Sequence, residues 1–336
     1  MSSPRAAAAG PKSGFALPSV LFVVAMVTLV FLVAIEALTS LATETRRAKQ
    51  GVAFQAEALS LEAHATLLAA THPLGAASIL AANRPAAPPL LALDGRAYQA
   101  APGVTLAAQD EAGLINLDNL PQPAVARLIA ALGVKPGFQG AMIDRFDDYL
   151  DPSDLKRPQG ADSDDYAEAG LPPPAKGPLV RRGQVLGVMS WPDAVAAPAW
   201  RAFADNVTAD PSSIDFNANT ATPATLEVML GFSRAQAAVA VAQRAQSPFA
   251  TLEDVGRAGG VTLHGDAERV YTMPNGRFAL KVEDAGAGLA YRARLLLSPD
   301  DPVRPFWVVE ASTAPLTAAE KASLPTNAPL LPGPTD

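Results

Sequence analysis

Residues 15–35 read FALPSVLFVVAMVTLVFLVAI, a run without a single charged side chain. That length suits a membrane-spanning helix of about 20 residues. It exceeds the apolar core of a cleaved secretory signal, roughly 7–15 residues. Arg5 and Lys12 precede the run while Arg46, Arg47 and Lys49 follow it, so the positive-inside count is nearly tied and leaves orientation open. The helical pattern continues past the apolar run. From Glu36 to about Ala70 the only helix breaker is Gly51, and Phe54, Ala58, Leu61, Ala65 and Leu68 recur at helical spacing. One long helix is expected, apolar on all sides at first and amphipathic afterwards.

Composition narrows the function classes. The chain has 336 residues, 49% of them apolar and 18% charged, enough for a substantial core and for two folded units, or one with a large insertion. With 26 Lys and Arg against 33 Asp and Glu, the net charge is −7. Binders of phosphate backbones carry the opposite balance, so nucleic acid is not an expected partner. Cysteine is absent, which removes disulfides, thiolate catalysis and Cys-ligated zinc. The chain has three histidines, His64, His72 and His264, and a His-based triad or cluster would need these isolated residues to converge. There is no Walker loop or HExxH, and Ser190 lacks the flanking glycines of a hydrolase elbow. A structural protein is expected rather than an enzyme. A periplasmic enzyme with a signal anchor is the weaker reading.

The N-terminus resembles a prepilin signal: a short basic leader ending in Gly14, then Phe15 and an apolar helix that runs on into an amphipathic one. The resemblance implies peptidase cleavage between Gly14 and Phe15 and methylation of the new Phe15 amine. Most members carry Glu at the fifth position after the cut, where this chain has Ser19. That departure is a character of one branch, the K-type minor pseudopilins of type II secretion.

The middle of the chain carries the same resemblance. Gly113-Leu114-Ile115-Asn116-Leu117-Asp118 and Asn217-Ala218-Asn219-Thr220-Ala221 are similar to the two phrases that frame a helical insert in K-type members. The first differs by Asp118 in place of a second Asn. Between them, Asp148-Tyr149-Leu150-Asp151 and Gly160-Ala161-Asp162 through Tyr166 resemble a D-W-x-D…G-A-E…Y pattern, with Tyr149 for Trp and Asp162 for Glu. The framing phrases also form a weak repeat. Each precedes a proline and a helix ending Leu-Gly (Leu132-Gly133, Leu230-Gly231), with Asn119 or Thr220 as candidate caps. Leu230 to Val261 resembles a helix-hairpin-helix unit, without its usual second glycine. A packing role and a DNA-backbone role are both open, the second giving an alternative function as a membrane-anchored DNA-binding protein of the competence type.

On both sides of the insert the sequence turns to strands. Residues 95–109, GRAYQAAPGVTLAAQ, suggest one or two; Gly276 to Ser298 forms a hairpin about Ala285 to Gly288; Phe306 to Ala311 makes a further strand. The expected fold class is α+β, a pilin-like long N-terminal helix on an antiparallel sheet with a large inserted all-α, SAM-like domain. Its divisions are a leader at 1–14, a transmembrane half-helix at 15–35, the amphipathic helix and first strands at 36–109, the insert at 110–275, the last strands at 276–314 and a flexible proline-rich tail at 315–336.

Asp147, Asp148, Asp151, Asp154, Asp162, Asp164, Asp165 and Glu168 crowd one segment, with Lys156 and Arg157 among them. Such a run is either a solvated acidic loop or a set of hard oxygen ligands suited to Ca²⁺. The resemblance implies calcium here, with Asp148, Asp151, Asp154, Asp162 and Asp165 as the candidate ligands. It also implies a minor pseudopilin at the pseudopilus tip, anchored once in the inner membrane of a Gram-negative bacterium with its C-terminal part in the periplasm. There it would help initiate pseudopilus assembly and export of folded proteins. The implied partners are minor pseudopilins of the I and J types, the major pseudopilin, the prepilin peptidase and inner-membrane secretion components.

Overall fold

Helix α1 (Ala16–Thr71) is continuous through both the apolar and the amphipathic stretch. In the computed structural model the described residues are 16–82, 88–213, 216–263 and 270–333. The leader, Gly14, Phe15, Asp215 and His264 lie outside them. The chain divides into two units, one ending at Ala56 and the other running from Glu57. Within the first, an 18-residue window of α1 reaches a mean hydropathy of 2.8, so its length and composition are enough to cross a membrane. Thr28, Thr39, Thr43 and Thr45 donate their hydroxyls to carbonyls four residues earlier at 2.8–3.0 Å, so these groups are satisfied along an apolar helix.

The second unit begins with the end of α1. Ala58, Ala65 and Leu68 are buried, as the stripe requires. After β1 (Ser78–Ile79) and β2 (Leu91–Ala92) come β3 (Asp94–Ala101) and β4 (Val104–Asp110), joined at Gly103, whose φ of 79° favours glycine. The chain then leaves the sheet and returns only at β9 (Arg277–Asp284), β10 (Leu289–Leu297) and β11 (Phe306–Pro315). These form one five-stranded sheet ordered β11-β10-β9-β4-β3, and β4 pairs antiparallel with β9 through Leu106↔Val282. The two strand regions expected from the sequence thus share one sheet. Ala65, Thr66 and Ala69 of α1 pack against Ala108, Phe278, Leu280 and Leu295 on one face. On the other face the insert packs over the middle of the sheet, so β4 is buried along its whole length and its sequence does not alternate, while β11 at the edge stays exposed.

The insert holds α2 (Gln122–Ala131), α3 (Pro136–Leu150), α4 (Ser163–Glu168), α5 (Trp191–Ala194) and α6 (Ala197–Phe203) around one core. Leu128, Phe146, Tyr166 and Trp191 lie at its centre, and Trp200 meets Trp191 edge-on at 5.7 Å. A second core gathers Leu226 of α7 (Pro223–Leu230), Ala237 and Ala240 of α8 (Arg234–Gln246) and Val255 of α9 (Leu252–Gly259) around Phe216, Phe232 and Phe249 from the segments flanking these helices. Gly133 and Gly231 take positive φ at the helix ends, as the Leu-Gly repeat suggested. The caps differ from expectation. Pro121 and Thr222 occupy the N-cap positions of α2 and α7, while Asn119 and Thr220 are engaged elsewhere. Two short parallel pairs, β5 (Ile115–Asn116) with β6 (Val207–Thr208) and β7 (Phe216–Asn217) with β8 (Val270–Tyr271), close the insert near its roots.

The tail departs from the flexible segment expected. Thr317 and Glu320 form a capping box that starts α10 (Ala318–Ser323), and Glu320 reaches Arg201 and Arg292 at 3.3 and 3.2 Å. Further on, Gln99 of β3 accepts Leu331 N–H at 2.9 Å and donates to Pro329 O at 2.7 Å. His64 makes a bond of 3.1 Å to Pro332 O. The prolines restrict the unfolded chain, and these anchors fix the tail along the β3 edge.

Candidate functional site

The sheet hands the chain to the insert at Asp110, and three neighbouring side chains decide how. Asp110 is fully buried. Its Oδ2 accepts Asn217 Nδ2 at 3.0 Å and Thr220 Oγ1 at 2.8 Å, and Oδ1 accepts Ala112 N–H at 3.3 Å. Gln109 donates to Thr220 O at 2.9 Å, and Thr222 N–H to Gly113 O at 3.2 Å. Asn219 exchanges two bonds with the Phe249 backbone, at 3.0 and 2.7 Å. Asn116 donates to Asp210 O and Ser213 O, both at 2.7 Å, and accepts Asp210 N–H at 3.1 Å. The two framing phrases therefore face each other as the outgoing and returning roots of the insert. Their asparagines satisfy buried backbone groups that no helix or strand reaches.

A second clamp lies beside the first. Arg294 of β10 forks onto Glu111, Nε to Oε1 and Nη2 to Oε2, both at 2.5 Å, and Thr208 donates to the same carboxylate at 2.9 Å. Arg277 meets Asp210 at 2.9 Å. On the same sheet face the small Ala107 and Ala279 floor a hollow of about 300 Å³, roofed by Arg182, Asp205, Thr222 and Pro223 of the insert. Asp205 crosses this seam to Arg292 at 3.1 Å, with Arg182 at 3.7 Å and Lys281 at 3.8 Å. The arrangement can hold two lobes in register. Sequence reasoning found the framing phrases but missed Asp110, Glu111, Arg277 and Arg294, whose roles depend on long-range pairing. The one available signal was charge at the inward rungs of strands.

Burial pushes the Asp110 carboxyl up to about 6, against the donors from Thr220 and Asn217. The folded chain then keeps a proton that the unfolded chain releases near 3.8, so between those values a rise in pH favours unfolding. The expected loss is about 3 kcal/mol across that window. Denaturant midpoints measured as a function of pH for the wild type and Asp110→Asn check it: the difference between the two curves should vary through this window and level off above it.

The acidic segment is arranged differently from a single ligand sphere. Arg157 lies 3.5 Å from Asp147, 2.5 Å from Asp148 and 3.6 Å from Asp151. Lys156 pairs with Asp165 at 2.8 Å and approaches Asp162 at 3.9 Å, while Lys176 meets Asp154 at 3.4 Å. Asp162 also caps α4 in a capping box with Asp165. The bond from Lys156 holds Asp165 below the usual carboxylate range, and the Ser153 backbone does so for Asp151. Calcium takes about 6–8 oxygens at roughly 2.3–2.6 Å around one point. The five candidates are shared among three cations, and among the described residues no three acidic or imidazole groups converge as a metal site would need. As placed, the set does not fit the ion.

In the helix-hairpin-helix-like stretch two of the three basic side chains are engaged by groups of the chain itself. Arg244 is buried and donates to Ala218 O at 2.7 Å and Ala221 O at 2.5 Å. Arg257 pairs with Asp254 at 3.0 Å and Glu253 at 3.3 Å. Phe232 lies against Gly259, where a Cβ would overlap its ring. A gel-shift titration with duplex DNA at low salt, where electrostatic binding is strongest, is expected to give no shifted band. Micromolar binding there would favour the competence-type alternative.

Residues 104–200 match the family model described as Type II secretion system (T2SS), protein K. No curated protein matches the chain in sequence. Among solved structures, the chain is similar to one in the crystal structure of the GspK-GspI-GspJ complex from the enterotoxigenic Escherichia coli Type 2 Secretion System. The TM-score is 0.51 at 15% identity, covering 81% of this chain and 99% of the other. At that identity the likeness speaks for the fold. The K-type resemblance drawn from the sequence stands, carried by the family match across β4 and the first lobe of the insert.

Proposed function

We propose that this chain is a minor pseudopilin of type II secretion that sits at the pseudopilus tip and helps initiate pseudopilus assembly and export of folded proteins. The observation that carries the reading is the family match over residues 104–200, which spans the strand that leads into the insert and the insert's first lobe. The physical argument for a single, terminal position is bulk. The insert is rooted between adjacent strands β4 and β9 and buries β4 along its whole length, and its bulk leaves little room for repeated stacking along a thin filament. Ser19 adds to it, because a subunit with no carboxylate at that position offers no partner to the amine of a subunit above it.

On this reading the apolar part of α1 anchors the chain in the inner membrane, with the folded part in the periplasm. I-type and J-type minor pseudopilins are its tip partners, and it meets the major pseudopilin and the inner-membrane secretion components during assembly. The prepilin peptidase removes residues 1–14, and Phe15 becomes the methylated N-terminus. Gly14→Val is expected to block cleavage, because a branched side chain obstructs a site fitted to glycine, and to abolish secretion. Ser19→Glu should leave cleavage intact. Mass spectrometry of the membrane-extracted protein reads both results, and an intact leader in secreting cells would defeat the proposal. Immunolabelling that found the chain along the filament body would reject the tip position alone.

A further inference from the structure

The acidic loop already contains its own counter-charges. Asp148 is only 1% exposed, and a carboxylate that deep is costly unless a cation and hydrogen bonds compensate its burial. It receives both from one residue: Arg157 donates its backbone N–H to Oδ2 at 3.0 Å and Nη1 to Oδ1 at 2.5 Å. The same guanidinium faces Asp147 and Asp151, at 3.5 and 3.6 Å. The backbone is shaped to allow this. Gly160 N–H closes a turn onto Arg157 O at 3.1 Å, and a Cβ at Gly160 would overlap Asp148 Oδ2. Lys156 donates to both oxygens of Asp165, at 2.9 and 2.8 Å. Lys176 donates to Ser153 O at 2.7 Å while lying 3.4 Å from Asp154, so it ties the loop backbone as well as its charge.

We propose that the loop from Asp147 to Asp165 is held by Arg157, Lys156 and Lys176 of the same chain, and that it keeps its fold without a bound calcium ion. A divalent ion could take Asp148 only by displacing a guanidinium that already makes its hydrogen bonds. It would gather the remaining carboxylates only by breaking the capping box of α4 and the Lys156 pair. The three cations divide the carboxylates among separate positions, whereas calcium demands oxygens around one point.

The test uses the full chain in detergent, with unfolding followed by the fluorescence of the buried Trp191 and Trp200. The melting temperature is expected to be the same in EGTA and in millimolar CaCl₂. A folding ion present at a hundred times its Kd would raise it by roughly 5–10 °C, so the two outcomes are well separated. Arg157→Gln should lower the melting temperature equally in both buffers, with Arg157→Lys recovering part of the loss. Should Arg157→Gln fail to fold, Lys156→Gln at the more exposed pair gives the same comparison with a smaller decrease. Calorimetric titration of the wild type with CaCl₂ is expected to show no stoichiometric binding. A calcium-dependent rise in the wild-type melting temperature, one bound calcium per chain, or an Arg157→Gln protein as stable as the wild type would each overturn the proposal.

Discussion

Arg294→Ala is expected to destabilise the folded part of the chain by about 3–5 kcal/mol, the range for breaking a buried ion pair from one side. Glu111 is almost fully buried, and its carboxylate takes both forks of the Arg294 guanidinium. Without the arginine, the Thr208 hydroxyl is the remaining side-chain donor to this carboxylate among the described residues. The loss should appear as a lower denaturant midpoint. Replacing both partners with apolar residues, Arg294→Met with Glu111→Leu, should recover much of it, because no charge is then left unpaired. A single variant within about 0.5 kcal/mol of the wild type would mean that the seam between sheet and insert does not depend on this pair.

Gly113→Ala should give the second large effect, for steric rather than electrostatic reasons. A Cβ at this position would lie 2.5 Å from the backbone carbon and oxygen of Thr220, so main chain rather than a movable side chain blocks it. Separating the two roots by that methyl also strains the bond from Thr222 N–H to Gly113 O and the contacts of Thr220 with Asp110 and Gln109. Overpacking of this kind costs about 1–3 kcal/mol, and a fixed backbone obstacle puts this case at the upper end. Gly51→Ala is the matching control. Beyond the adjoining backbone of its own helix no atom lies within 4 Å of its Cβ position among the described residues, and the residue is inside α1. That substitution should be neutral or add about 0.5–1 kcal/mol through helix propensity. Thermal unfolding of the two variants side by side separates close approach from glycine's general cost.

The features legible in the sequence alone were those written in local patterns. The uncharged run after Phe15 and the unbroken helical spacing behind it demand a long helix whatever surrounds them, because apolar length and 3.6-residue periodicity act along the chain. The hairpin at Ala285 to Gly288 is equally local: β9 ends at Asp284 and β10 begins at Leu289, with Gly288 at a φ of 67°. The framing phrases were visible as motifs, and their order carried the family resemblance.

What those phrases do was decided only by the fold. Thr220 has the character of a helix cap, yet its hydroxyl binds Asp110, more than a hundred residues earlier, and Thr222 caps α7 instead. A local preference of about 1 kcal/mol for a cap cannot specify which threonine is used when a buried carboxylate needs a donor. The acidic segment shows the same limit. Its composition suits metal ligands, but composition does not say whether Arg157 points outward or into the carboxylates, and the turn closed at Gly160 aims it inward. The tail, too, has the prolines of a frayed segment, and the fold brings it the β3 edge, His64, Arg201 and Arg292 to bind. Periodicity and hydropathy are properties of consecutive residues, so the sequence settled the elements. Charge pairing and close backbone approach join residues far apart in the chain, and their partners exist only once the sheet and the insert have met.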